Sequence, residues 1–77
     1  MKNDIYDNTR ELARKLKSID NAMLAIELIN SIEYSNSSTE TLIKIIYWLE
    51  RINVKYIDAS TEDLLKITKE EIYEKLK

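Results

Sequence analysis

Residues 37 to 52 read Ser-Ser-Thr-Glu-Thr-Leu-Ile-Lys-Ile-Ile-Tyr-Trp-Leu-Glu-Arg-Ile. Leu42, Ile45, Ile46, Leu49 and Ile52 recur at three- and four-residue steps, the spacing of one buried helical stripe. Ser37, followed three residues later by Glu40, is a capping box: the hydroxyl takes a backbone N–H that the first turn leaves without a partner, and the carboxylate reaches back. The pattern predicts a helix over residues 39–53. Asn53 would close it, because Asn tolerates the left-handed backbone that usually ends a helix. With the stripe turned inward, Tyr47 points almost directly away from the core. Trp48 falls at the stripe's edge, flanked by Lys44, Arg51 and Lys55.

Working toward the N-terminus, Ser35-Asn36-Ser37-Ser38 is the clearest loop. Asn36 is placed to end a preceding helix in the same left-handed manner. That helix is expected over residues 20–34, with Asp20 or Ser18 as its N-cap. Its apolar residues, from Ala22 through Leu28 to Ile32, cover roughly 200° of the circumference. So wide an apolar surface predicts a central helix touching two or three neighbours, and it could also support a homodimer. A first helix is expected over residues 3–18, where Ile5, Thr9, Leu12, Leu16 and Ile19 form one narrow stripe. Asp7–Arg10 and Glu11–Lys15 are expected ion pairs on its exposed side.

Toward the C-terminus, the β-branched stretch Val54 to Ile57 predicts a short extended connector. Ser60 with Asp63 opens a further helical turn, and Thr68 with Glu71 forms another capping box. Two short helices, or one broken at Thr68, are the expectation. The fold class is all-α: a single domain over residues 1–77, a small four-helix bundle with a possible extra short helix around 61–66.

Composition limits the chemistry. The chain has 77 residues and a net charge of -2, with no Gly, Pro, Cys, His or Phe. Without His and Cys it lacks the commonest general base, the commonest metal ligand and every thiolate. Without Gly it lacks the loops that cradle phosphates. Glu70, Glu71 and Glu74 cluster, but Lys66, Lys69, Lys75 and Lys77 balance them as on any solvated helix. No catalytic residue, metal site or cofactor is expected. No uncharged run exceeds six residues, against the roughly 20 apolar residues of a membrane span. The opening Met-Lys-Asn-Asp has no apolar signal segment, so a cytoplasmic protein is expected.

Three functional readings follow. The first is a non-catalytic regulator that binds another protein, such as an inhibitor, antitoxin, immunity factor or phage-type interaction protein. Its binding face would be Ile43, Tyr47, Trp48 and Arg51, because Trp, Tyr and Arg dominate interface hot spots. A DNA-binding regulator is a lesser reading. Glu11 to Leu16 looks like the first helix of a helix-turn-helix, with Arg10, Arg14, Lys15 and Lys17 as its basic residues. The following stretch, Asn21 to Asn30, offers no basic residue to phosphates or base edges, which argues against nucleic acid as the main partner.

The third reading comes from a resemblance. Leu42 to Glu50 resembles the second helix of acyl and peptidyl carrier proteins. Asn53 to Ile57 resembles the connector after it, Asp63 to Thr68 the short third helix, and Lys69 to Leu76 the last. The family carries phosphopantetheine on the Ser of an Asp-Ser-Leu motif; the matching positions here are Ser38-Thr39-Glu40. The resemblance thus implies Ser38 or Thr39 as the attachment point of a degenerate carrier-like protein. Ile67 to Ile72 is also similar to a turn in the core-binding domain of phage-type integrases.

Overall fold

The computed structural model describes residues 4–16 and 19–77. Four helices follow one another: α1 (Ile5–Lys15), α2 (Ile19–Glu33), α3 (Ser38–Leu49) and α4 (Ala59–Leu76), with a 3₁₀ turn at Val54–Tyr56 between the last two. The described residues contain no strand. This is the expected all-α four-helix bundle. Its radius of gyration, 11.5 Å, is that of a compactly folded chain of this length, about 11.5 Å.

The helices form a closed ring. α1 packs on α2, α2 on α3, α3 on α4, and α4 back on α1. Each contributes a strip to one core: Ile5, Leu12 and Leu16 from the α1 region, Leu28 from α2, Leu42, Ile45 and Leu49 from α3, Ile52 just after it, and Leu65 and Ile72 from α4. The expected stripe of the first helix is therefore buried from Ile5 to Leu16, the Ile19 side chain lying outside the described ones, and that of the third helix is buried in its turn. Ile46 is only partly so, packed against the core from its edge. Among the described residues helix α2 packs mainly on two neighbours, as expected, but every other helix does the same, so it holds no central place. Met23 and Ile26, and Ala22 beside them, face outward.

The starts of α1, α3 and α4 follow simple chemistry. Asp4 caps α1, accepting the Asp7 N–H at 2.8 Å. Ser37 caps α3, accepting the Glu40 N–H at 3.1 Å. The Glu40 carboxylate reaches back to the Asn36 N–H at 2.7 Å, one residue beyond the usual box. Asp58 caps α4 through the Thr61 N–H at 2.8 Å. Ser60 is therefore the second residue of the helix and not its cap. Asp20 also lies within its helix, and Ser18 falls outside the described residues.

Several expectations are corrected. Helix α4 runs unbroken through Thr68, so there is neither a separate helix at 61–66 nor a turn at Ile67 to Ile72. Thr68 is fully buried, and its hydroxyl donates to the Leu64 carbonyl at 2.7 Å instead of capping a new helix. Thr9 and Thr41 spend their hydroxyls the same way, on Ile5 and Ser37. Such back-bonding satisfies a buried hydroxyl within its own helix. No described residue has a positive φ, so neither Asn36 nor Asn53 is left-handed. Helix α3 ends early, at Leu49, and unwinds through bonds from the Arg51 N–H to Trp48 and the Ile52 N–H to Leu49. Asn53 instead opens the 3₁₀ turn, accepting the Lys55 N–H at 3.1 Å, so Val54 to Tyr56 is not extended.

Asn21 explains how this connection is held. Its side chain is 1% exposed. The amide oxygen accepts the Asn53 N–H at 3.2 Å, and the amide nitrogen donates to the Asn53 carbonyl at 3.4 Å. One side chain on α2 thereby satisfies both backbone groups of a residue 32 positions away. At the other end of the bundle, Asn8 of α1 donates to Glu71 of α4 at 3.0 Å.

Candidate functional site

Helix α3 places the four expected contact residues as its period requires, with one distinction. Ile43 is 52% and Tyr47 49% exposed, and Arg51 is exposed just past the helix end. These lie four residues apart and form one strip on the outer face. Trp48 is half-buried and packs against the core. It supports the strip more than it belongs to it.

The strip is internally ordered. The Arg51 guanidinium lies 3.5 Å from the centre of the Tyr47 ring. Its Nη1 also donates to the Tyr47 carbonyl at 2.7 Å. The Tyr47 ring meets Trp48 edge-on, with centroids 4.9 Å apart and an interplanar angle of 88°. Both arrangements are favoured by the ring quadrupole, the cation over the face and the neighbouring ring at the edge. Each aromatic is therefore held in place before anything binds.

Beside the strip runs a groove of about 410 Å³ between α2 and α3. Ile43, Lys44, Tyr47 and Trp48 form one wall; Glu27, Asn30, Ser31 and Tyr34 form the other. Lys44 is held by Glu40 at 3.9 Å, and Glu27 accepts from the Asn30 amide at 3.3 Å. Tyr34, 73% exposed, is a groove residue that the sequence reading did not single out. The signal was present: Tyr34 continues the outward stripe of α2, eleven residues after Met23 and four after Asn30.

The other sequence candidates are scattered. Ser38 and Thr39 are exposed in the first turn of α3, while the Ser37 hydroxyl is committed to capping. Ser38 borders a separate groove of about 480 Å³, lined by Asp4, Tyr6, Leu42, Glu71 and Lys75 as well. The positions matching the carrier family's third and last helices belong to the single helix α4. On α1, Arg10 pairs with Asp7 as expected, but Glu11 pairs with Arg14 rather than Lys15. Lys17 lies outside the described residues. Two of the basic residues read for DNA are thus neutralised within their own helix.

Titration shifts arise from such local pairs. Hydrogen bonding from Arg14 holds the Glu11 carboxyl below its usual range and raises Arg14 in turn. The Tyr73 phenol is raised because its hydroxyl donates to Glu50 across the α3–α4 contact. Glu71 spends its carboxylate on Asn8 and Glu74 on Lys77 at 3.0 Å, so the acidic cluster of α4 is dispersed. Among the described residues no group of three or more acidic side chains is placed to hold a metal ion. No described helix is long and apolar enough to cross a membrane. Comparison with protein-family models, curated proteins and solved structures finds no match to this chain.

Proposed function

We propose that this protein is a non-catalytic cytoplasmic regulator that acts by binding another protein through the outer face of α3. The observation carrying this reading is the ordered strip of Ile43, Tyr47 and Arg51, stacked and hydrogen-bonded while still exposed. Interfaces lose affinity to the entropy of ordering their side chains, about 0.5–1.5 kcal/mol for each rotamer-rich one. A Tyr and an Arg already locked together avoid much of that cost. Trp48 beneath them and the α2–α3 groove beside them supply depth into which a partner's apolar side chain fits.

The test is comparative capture. Wild-type protein and the Tyr47→Ala and Ile43→Asp variants serve as baits in extract of the native cell. A protein retained by the wild type and lost with both variants supports the reading, provided both variants keep their helical circular dichroism. Equal retention by all three baits rules out the α3 strip as the binding face.

A further inference from the structure

The outward face of α2 is left uncovered by the ring. Met23, Ile26, Asn30 and Tyr34 succeed one another at steps of three, four and four residues, the narrow seam by which one helix packs on another. Met23 is 75% and Ile26 61% exposed, and Tyr34 is similarly open. The seam itself carries no charge. Glu27 borders it on the side of α3, and helical periodicity places Glu33 on the side of α1.

We propose that a second copy of the chain docks on this seam, α2 against α2, antiparallel about a twofold axis. Charge complementarity selects this occupant. Helix α2 contains no Lys or Arg, so an anionic lipid surface finds nothing on it to attract headgroups. The bases stand on the neighbouring helices. Arg10 and Arg14 of α1 line the groove with Ala25, Ile26 and Asn30. Lys44 of α3 lies across from Glu27 and Asn30. An antiparallel twofold keeps the α1 side of one copy over the α1 side of the other. Met23 of each copy then lies level with Tyr34 of the other. Glu33 comes level with the start of the seam, beside Arg14 of the opposite copy. Glu27 comes level with Asn30, beside the opposite Lys44. Glu33 and Glu27 thus each meet a base of the second copy, Arg14 and Lys44, which exchange the exposed intrahelical partners Glu11 and Glu40 for them.

The area suffices. At their fractional exposures Met23, Ile26 and Tyr34 present roughly 450 Å², more than half of the ~800 Å² per partner in a standard stable interface. Ala22, Asn30 and the stems of Arg14 and Glu33 border these three and extend the contact.

Sedimentation velocity on the full chain tests the proposal. At high concentration the expected mass is twice the 9.1 kDa of one chain. Ile26→Asp, at an exposed position, should yield a monomer with unchanged helicity; Met23→Gln serves should Ile26→Asp fail to fold. Glu33→Arg should weaken dimerisation at least tenfold, and adding Arg14→Glu to it should restore association. A monomeric wild-type protein overturns the proposal, even if it binds some other protein. A dimer indifferent to the seam substitutions overturns docking through α2. A dimer not restored by the double exchange overturns the antiparallel arrangement.

Discussion

Lys69→Pro distinguishes two backbones with opposite signs. If Thr68 capped a new helix, residue 69 would be its first position, where proline is favoured because its missing N–H has no partner there in any case. In the continuous helix α4, residue 69 lies at the eleventh of 18 positions. Its N–H then bonds the carbonyl of Leu65 in the helical pattern. Proline removes that bond and drives its ring into the Leu65 carbonyl, at a cost of ~3 kcal/mol or more. Domains hold ~0.05–0.15 kcal/mol per residue, so this loss takes a quarter or more of the total stability. Each kcal/mol shifts the melting temperature of a domain this size by ~4–8 °C, so Tm should fall by ~12 °C or more. Thermal denaturation followed by circular dichroism measures it. Lys69→Ala is the control, expected within ~0.5 kcal/mol of wild type because only an incompletely buried side chain is lost. A Lys69→Pro protein with an unchanged or raised Tm would refute the continuous helix, and with it the packing of α4 against both α1 and α3.

Asn21→Ala should cost ~1–3 kcal/mol in chemical denaturation, since both backbone groups of Asn53 lose their partner; a silent substitution would show that the connection after α3 is held elsewhere. Asp58 is kept below the ordinary carboxylate range by hydrogen bonds from the Thr61 side chain and backbone. A depressed folded pKa contributes stability above the unfolded value and loses it as pH falls through the folded value. Melting temperature should therefore drop on acidification below pH ~4, and Asp58→Asn should flatten part of that drop; identical pH profiles would refute the linkage. Incubation with coenzyme A and a promiscuous phosphopantetheinyl transferase should leave the mass unchanged, and a gain mapped to Ser38 or Thr39 would revive the carrier reading.

The number of helices and most of their buried faces were legible because apolar spacing reports them directly. Leu12, Ile45 and Leu49 had no other face on which to sit. Thr68 was misread for a definite reason. A Thr three residues before a Glu has the same pattern whether its hydroxyl caps the next turn or bonds back to the previous one. Burial decides between the two, and burial of Thr68 depends on α1 and α3, which no local window contains. Asn53 was misread similarly. Its backbone is fixed by Asn21, a residue in another helix, and not by its own preference for left-handed geometry. In the candidate site, the outward position of Tyr47 followed from helical angle alone. The stacking of Arg51 on it could not be read, because a long side chain chooses among rotamers that only the folded surface separates.

The closed ring also bears on how the molecule assembles. Three of its four contacts join helices that are neighbours in the chain, across connections of a few residues to about nine. Short connections close cheaply, and the entropic cost rises only slowly with length. The fourth contact, α1 to α4, spans 63 positions at the Asn8–Glu71 bond, about twice the 32 positions of the Asn21–Asn53 bonds. Helical hairpins can thus form first, each burying part of its stripe, with the docking of α1 on α4 completing the core. Architectures with so large a share of local contacts fold within microseconds to milliseconds. For a chain this small, such speed shortens the time that its apolar α2 stands unprotected.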